Sequence, residues 1–301
     1  MDLLMIGLGR MGGNMARRLL RGGHRVVGYN RSPEATQEIA AQDGLVAAFS
    51  LQEALAKLTA PRAVWIMVPA GEATENTINE LAGQLSPGET IIDGGNTFYK
   101  DDLRRAAALK EKGIHYVDVG TSGGVWGLQE GYSLMIGGEP QVVESLRPLF
   151  ETLAPAPQQG WGYVGPHGAG HFVKMVHNGI EYGMMQAYAE GFEIMQSNPF
   201  PLDLPAIAEL WMHGSVVRSW LLELAASALK KEPDLASVPA YVADTGEGRW
   251  TVQEAIDLAV SAPVIASSLF ARFASRKNDA FGNKMLAALR NEFGGHGTGV
   301  K

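Results

Sequence analysis

The chain has 301 residues, of which 46% are hydrophobic and 19% charged, so it can bury about two domain interiors and is not intrinsically disordered. Asp and Glu (32) outnumber Lys and Arg (25), which argues against nonspecific nucleic-acid binding but leaves room for a local basic pocket. The absence of cysteine excludes disulfides, thiolate metal sites and a cysteine nucleophile. No apolar stretch reaches the ~18 residues of a membrane span, and no basic signal region opens the chain, so we expect a cytoplasmic protein without a membrane partner.

Strand-like and helical segments alternate in the first half of the chain. The first helical segment covers residues 11–21 and ends at a glycine pair. Short apolar runs predict strands at 3–6, 24–29, 63–68, 90–93, 114–119 and 133–136. This alternation predicts a Rossmann-type, doubly wound α/β domain, with a parallel sheet between two helical layers.

The second half of the chain has a helical character. A pattern without proline runs from about residue 168 to 197, and proline-rich breaks at 198–205 and 232–239 separate the helical segments that follow. We therefore expect a dinucleotide-binding domain over residues 1–165. An all-α domain should cover residues 166–301.

A glycine-rich loop follows the first predicted strand and opens the first predicted helix. A G-x-G-x-x-G pattern alone is weak, but this strand–loop–helix context is typical of dinucleotide binding rather than of a plain turn. The first glycine permits the turn, the second lets the backbone approach a pyrophosphate, and the third allows close packing. The expected cofactor-binding residues here are Gly7, Leu8, Gly9, Arg10, Met11 and Gly12.

The end of the second predicted strand bears on the choice of cofactor. An acidic residue there would bind the ribose hydroxyl of NAD and repel the extra phosphate of NADP. This chain instead has Asn30, Arg31 and Ser32. Because the planar Arg31 guanidinium can pair with a phosphate, the sequence favours NADP over NAD, although a solvated arginine would tolerate either.

Polar residues share one face of the long predicted helix. At about 100° per residue they lie within an arc of roughly 140°. An exposed Lys–Glu face is the alternative, but such faces rarely combine His, Asn and Tyr, and glycines at 179, 183 and 191 suggest a close approach by a ligand or backbone. We interpret the stripe as an active-site wall for proton transfer, formed by Lys174, His177, Asn178, Glu181 and Tyr182.

Two glycine turns at strand ends are further candidates for ligand binding. Asn96 lies in the turn after the 90–93 strand, and Ser122, Gly123 and Gly124 follow the 114–119 strand. The carboxyl ends of parallel strands line the ligand crevice of doubly wound sheets, although either turn could be merely structural. No histidine or carboxylate spacing indicates a metal site.

Four motifs, taken in order, resemble the decarboxylating 6-phosphogluconate dehydrogenase family of the pentose phosphate pathway. They are IDGGN at 92–96, SGG at 122–124, KMVHNGIEY at 174–182 and RNEFGGH at 290–296. The length resembles the short form of that family. The alternatives are another β-hydroxyacid dehydrogenase, of the 3-hydroxyisobutyrate or tartronate semialdehyde type, and a cofactor sensor without catalysis.

The resemblance implies roles for the polar stripe and the glycine turns. Lys174 would be the general base and Glu181 the acid that protonates the enol, while His177 and Asn178 orient the substrate. Ser122, Gly123 and Gly124 would hold the carboxylate end of the substrate. Asn96 would lie between substrate and nicotinamide, and Val68 would join the cofactor-binding residues.

The resemblance also implies a phosphorylated sugar acid as the substrate. Tyr182, Arg272, Arg290 and His296 would bind its phosphate, with the C-terminal pair reaching into a partner subunit of a homodimer or homotetramer. The chain departs from the family's longer members around 244–251, where it lacks their phosphate-binding lysine. Arg249 is a candidate substitute for that lysine.

Overall fold

The structure, a computed structural model, describes residues 1–277 and 279–294. Two compact units divide the chain, residues 1–177 and residues 178 onward. The predicted domain boundary, between residues 165 and 166, falls where the last strand ends and just before the long helix begins. The division between the compact units lies within that helix.

The first unit is built on one eight-stranded sheet in the order β3-β2-β1-β4-β5-β6-β7-β8. The strands are β1 (Asp2–Ile6), β2 (Arg25–Tyr29), β3 (Val46–Ala48), β4 (Ala63–Ile66), β5 (Thr90–Asp93), β6 (His115–Ser122), β7 (Ser133–Gly138) and β8 (Trp161–Gly165). The first six strands run parallel, in the strand order of the Rossmann fold, which confirms the predicted fold class.

The last two strands run against the first six. β7 pairs antiparallel with β6, and β8 pairs parallel with β7. The link between β6 and β7, residues 123–132, is too short for the crossover that a parallel pair requires, so the chain turns back on itself. The sequence did not predict β3 or β8, because β3 has only three residues and β8 is a half-exposed, glycine-containing edge strand.

Helices cover both faces of the sheet. They are α1 (Arg10–Arg21), α2 (Pro33–Asp43), α3 (Leu51–Ala56), α4 (Glu72–Ala82), α5 (Tyr99–Lys110), α6 (Gly127–Glu130), α7 (Pro140–Ser145) and α8 (Arg147–Leu153). Alternate residues of β1 enter opposite cores: Leu3 and Met5 belong to one buried cluster, and Leu4 and Ile6 to the other. Burial on both faces explains why this strand reads as an unbroken apolar run.

The long helix predicted over 168–197 is observed as α9 (Ala169–Ser197), which continues from the first unit into the second. The helices after it are α10 (Leu204–Trp211), α11 (Trp220–Lys231), α12 (Glu247–Asp257), α13 (Pro263–Ala274) and α14 (Phe281–Gly294). A small apolar core joins α10 and α11 through Leu204, Ala208 and Leu222. No described helix has both the length and the apolarity to cross a membrane.

Candidate active site

The three glycines of the first loop occupy three different environments. Gly7 has a φ of +90°, and a Cβ there would overlap the Met67 carbonyl, whose carbon would lie only 2.7 Å away. A Cβ on Gly12 would overlap the Gly7 carbonyl oxygen, whereas a Cβ on Gly9 would meet nothing within 4 Å. The first and third glycines are therefore needed by the fold itself. The second borders open space at the start of α1, as an approaching pyrophosphate requires.

The end of β2 supports this glycine loop directly. The Asn30 side chain accepts a hydrogen bond from the Leu8 backbone N–H (3.0 Å) and donates one to the Ser32 carbonyl (2.9 Å). Arg31 and Arg10 are exposed beside the loop. With a glycine N-cap and no acid in its first turn, α1 offers backbone donors and a positive dipole end to an anion. These residues fit a dinucleotide phosphate.

Lys174 is buried, and the first carbons of its side chain pack against Gly120 of β6. Its side chain is 5% exposed, and its Nζ lies 3.3 Å from Nδ1 of His177. A Cβ at position 120 would overlap the Lys174 Cβ and lie 2.6 Å from the Gly170 carbonyl oxygen. Gly120 therefore lets the first turns of α9 pack directly on β6 near its carboxyl end.

The carboxylate of Asp118 fixes the start of α9. It accepts hydrogen bonds from the backbone N–H groups of Gly168 (2.7 Å) and His171 (3.0 Å). Burial raises the pKa of Asp118, and these two donors partly oppose that rise. Asp118 on β6 thus caps the N-terminus of α9, as the N-cap residue of a helix usually does. Because this contact fixes where the helix starts on the sheet, it also fixes where Lys174 lies along the sheet.

The two glycine turns lie at the carboxyl ends of β5 and β6. Asn96 has a φ of +51°, and its side-chain amide makes two hydrogen bonds with the Thr121 backbone, of 2.9 and 3.1 Å. Gly123 and Gly124 have φ values of +126° and +54°, which turn the backbone sharply after Ser122. The hydrogen bonds of Asn96 hold the β5 turn against β6. Both candidate turns therefore lie side by side where the parallel strands end.

A buried polar cluster beside these turns was missed by the sequence analysis. Its members come from β5, the turn after it, α5, β6 and α9, and each is at most 3% exposed. His171 Nδ1 lies 2.7 Å from Asp102 Oδ2, and the Tyr116 hydroxyl donates to Asp102 at 2.8 Å. Only the pairing of distant segments reveals the cluster, which consists of Asp93, Thr97, Asp102, Arg105, Tyr116 and His171.

The charge of His171 makes a testable contribution to stability. Burial opposes that charge, but the carboxylates of Asp102, Asp93 and Asp118 together outweigh burial and raise the pKa of His171 to about 9, with Asp102 first among them. Because the pKa is higher in the folded than in the unfolded chain, the stabilisation is complete below about pH 6.5 and is lost as the pH rises toward 9. We expect the difference in unfolding free energy between wild type and His171→Gln to shrink over that range in urea titrations. A difference independent of pH would contradict this.

In the second unit, Tyr182 lies among arginines. The Arg272 guanidinium carbon lies 3.5 Å from the centre of the Tyr182 ring, and Arg272 also donates to the Ala243 carbonyl at 2.8 Å. Asp244 accepts hydrogen bonds from Arg249 at 2.8 Å and Arg276 at 2.6 Å.

This group carries an excess of positive charge. Hydrogen bonds from Arg249 lower the pKa of Asp244 to about 2 against the effect of burial, and Arg276 adds to the lowering. Asp244 is therefore a carboxylate near neutral pH, and this one carboxylate pairs with the two guanidinium groups of Arg249 and Arg276. Such an excess suits an anion.

The remaining predicted residues lie as follows. Asn178 and Glu181 are half-buried on α9, Arg290 is exposed on α14, and His296 lies outside the described residues. Among the helical glycines, a Cβ on Gly179 would lie 2.6 Å from the Thr251 side chain, whereas one on Gly191 would meet nothing within 4 Å. Close approach therefore explains the glycine at 179 but not the one at 191.

A Rossmann sheet with a glycine cradle, followed by a long helix that carries a buried lysine in its second turn, is typical of dinucleotide-dependent dehydrogenases. Residues 2–165 match the family model for the NAD binding domain of 6-phosphogluconate dehydrogenase, and residues 170–293 match the model for its C-terminal domain. The chain belongs to the 6-phosphogluconate dehydrogenase family.

Relatives with this family name are similar to the chain over 90% or more of its length. The NAD(+)-dependent, decarboxylating 6-phosphogluconate dehydrogenase of Haloferax volcanii is 43% identical over 98% of both chains. The NADP(+)-dependent enzyme of Bacillus subtilis (strain 168) is 39% identical over 90% of this chain but only 60% of its own. The structure of Plasmodium falciparum 6-phosphogluconate dehydrogenase matches with a TM-score of 0.85 at 30% identity, over 98% of this chain and 65% of that one.

Proposed function

We propose that this protein oxidises and decarboxylates 6-phosphogluconate to ribulose 5-phosphate and carbon dioxide, with reduction of NAD or NADP. The observation that carries the proposal is the buried Lys174, packed on Gly120 in the same compact unit as the glycine cradle. A full-length relative named as this enzyme supports the same substrate.

The proposed chemistry begins with proton transfer to Lys174. A bound nicotinamide supplies the hydride acceptor for C3 of the substrate. Uncharged Lys174 takes the proton of the C3 hydroxyl while C3 loses its hydrogen as hydride, and the two losses together leave a 3-keto acid. As the carboxylate leaves as carbon dioxide, negative charge builds on the C3 oxygen, where protonated Lys174 stabilises it and returns the proton.

The second proton comes from the other end of the stripe. Glu181 lies seven residues after Lys174 on the uninterrupted helix α9, and so on nearly the same face. We assign to Glu181 the protonation of the enol carbon that becomes C1 of the product, while Lys174 takes the enol hydroxyl proton and so leaves the ketone of ribulose 5-phosphate. His177 and Asn178, between the two, orient the substrate hydroxyls.

The ends of the substrate are assigned to separate residues. The turn Ser122–Gly124 holds the carboxylate end through its backbone donors. Tyr182 and Arg272 hold the phosphate, and the excess positive charge around Asp244 supports Arg249 as a further phosphate partner.

Product analysis tests the assignment. We expect turnover of 6-phosphogluconate, followed by reduced nicotinamide at 340 nm, to release one carbon dioxide and one ribulose 5-phosphate per cofactor reduced. 3-Hydroxyisobutyrate and other nonphosphorylated β-hydroxyacids serve as the comparison panel. Faster turnover of one of those acids, or oxidation without carbon dioxide release, would refute the proposal.

The cofactor preference can be tested at Arg31. We expect wild type to prefer NADP, and Arg31→Ala to lower the ratio of kcat/KM for NADP to that for NAD by about 10-fold, because the variant loses a partner of the 2′-phosphate. Arg21→Ala, an exposed arginine at the other end of α1, is the control and should leave the ratio unchanged. A preference for NAD that Arg31→Ala does not alter would remove the inference.

The C-terminal segment is assigned to the phosphate site of a partner subunit in a homodimer or homotetramer. Large apolar side chains exposed on the second unit support such association, among them Phe200, Leu210 and Val216. Deleting residues 289–301 should raise KM for 6-phosphogluconate by about 10-fold or more and leave KM for the cofactor nearly unchanged. Deleting only 297–301, which spares Arg290 and His296, is the control. Unchanged substrate KM in the longer deletion would contradict the assignment.

A further inference from the structure

The buried polar cluster joins the parts of the first unit that carry the proposed reaction. The Asp93 carboxylate accepts from the Gly95 backbone N–H at 3.0 Å, and so shapes the turn that bears Asn96. The same carboxylate lies 2.9 Å from the Thr97 hydroxyl, which lies 3.2 Å from His171 Nδ1. A continuous set of hydrogen bonds thus connects the turn after β5 with the first turn of α9.

His171 is positioned to control Lys174. The two residues are three apart on α9 and therefore neighbours on its surface. Asp118 binds backbone groups at the helix start and so resists movement along the helix axis. The hydrogen bond between His171 and Asp102, by contrast, holds a side chain that projects from the helix, and so resists rotation of the helix about its axis.

The His171 ring is held from one side only. Its Nε2 atom is buried and has no hydrogen-bond partner among the described residues. The orientation of the ring therefore depends on the contacts of Nδ1 with Asp102 and Thr97. Removing the Asp102 carboxylate would leave the ring with the Thr97 contact and the helix turn with the backbone contacts of Asp118, neither of which sets the rotation of the side chain as Asp102 does.

The cluster is a closed ion network rather than a metal site. Asp93, Asp102 and His171 could bring three ligand atoms within 4.8 Å of one another. Arg105, however, already lies 3.4 Å from Asp93 and 3.7 Å from Asp102, and His171 Nδ1 is engaged by Asp102. The atoms of Asp93, Asp102 and His171 that could bind a cation are therefore already used by contacts within the cluster.

We propose that the His171–Asp102 pair is a positioning device that sets the rotation of α9 and so places Lys174 for proton transfer. Through Thr97 and Asp93, it also couples that placement to the turn bearing Asn96. The inference rests on the proposed function for its catalytic consequence, but not for its structural one. Neither residue of the pair is assigned a contact with the substrate or the cofactor.

Kinetics and hydrogen exchange on the full chain test the pair. We expect His171→Gln and Asp102→Asn each to lower kcat for 6-phosphogluconate by about 10- to 100-fold, because a misplacement of about 1 Å can cost that much. The cofactor Kd, from nicotinamide fluorescence, should stay within about twofold of wild type. The double variant should have a kcat no lower than that of the less active single variant, since the two residues act as one unit. Amide exchange over residues 168–178 should become faster in all three.

Glu89→Gln is the matched control. Glu89 is 2% exposed, pairs with Arg62 at 2.6 Å and precedes β5 at the opposite end from Asp93. The control should lower stability without lowering kcat or exposing residues 168–178. Thr97→Val, a milder change in the cluster, should give a smaller loss of kcat in the same direction if the stronger variants do not fold.

The outcomes separate the two proposals. The positioning role is overturned if both single variants keep kcat within about twofold of wild type, or if Glu89→Gln loses as much kcat as they do. Unchanged exchange over residues 168–178 would also overturn it. If wild type itself fails to turn over 6-phosphogluconate, the proposed function fails, and the exchange measurement alone still tests the positioning role.

Discussion

Replacing Lys174 by methionine is expected to lower kcat by about 10²- to 10⁴-fold, the usual contribution of a positioned acid–base group. Methionine keeps the Cβ and much of the stem that pack on Gly120, so the fold and the cofactor Kd should change little. Steady-state kinetics with 6-phosphogluconate, together with a cofactor titration, measure both.

The control for this change is Lys110→Met, an exposed lysine in the last turn of α5. It should retain wild-type kcat. If Lys174→Met also retained it, the lysine would not be the base, and the chain could instead be a cofactor sensor. If Lys174→Met lost cofactor binding along with activity, the effect would be structural.

Substitutions at two glycines of one loop are expected to act in different ways. Gly12→Ala should lower the free energy of unfolding by about 1–3 kcal/mol or more, because the added Cβ overlaps the Gly7 carbonyl and lies 2.9 Å from the Met67 Cβ. Gly9 has an ordinary φ of −66° and open space around its missing Cβ. Gly9→Ala should therefore cost less than about 1 kcal/mol.

The expected order reverses for cofactor binding by the folded protein. The Cβ of Gly9→Ala would stand where the pyrophosphate approaches α1, and KM for the cofactor should rise by about 10-fold or more. Urea unfolding and cofactor kinetics on both variants check the pair. Normal cofactor affinity in Gly9→Ala would show that the dinucleotide does not approach the helix at this position.

Much of the fold could be predicted because it depends on local patterns. The apolar runs that became β1 and β5, and the helical period that became α9, reflect burial that repeats along a few neighbouring residues. β3 and β8 escaped prediction because three residues, or a half-exposed edge, carry too little of that pattern.

The residues of the candidate site also fall into a predictable group and an unpredictable one. The sequence singled out Lys174 and the SGG turn, whose chemistry and spacing are visible along the chain. It gave no role to His171 or Asp102, since a histidine and an aspartate in separate helical segments look like ordinary polar residues. They form a pair only because packing brings α5 and α9 together.

By itself, the sequence determined the Rossmann domain, the glycine loop and the mixed polar face of the long helix, because each follows from the chemistry and period of adjacent residues. Only the tertiary structure decided that Asp118 caps α9, that Gly120 makes room for Lys174, and that β7 runs backward. These features depend on residues distant in the chain, whose proximity is set by how the layers pack rather than by any local preference.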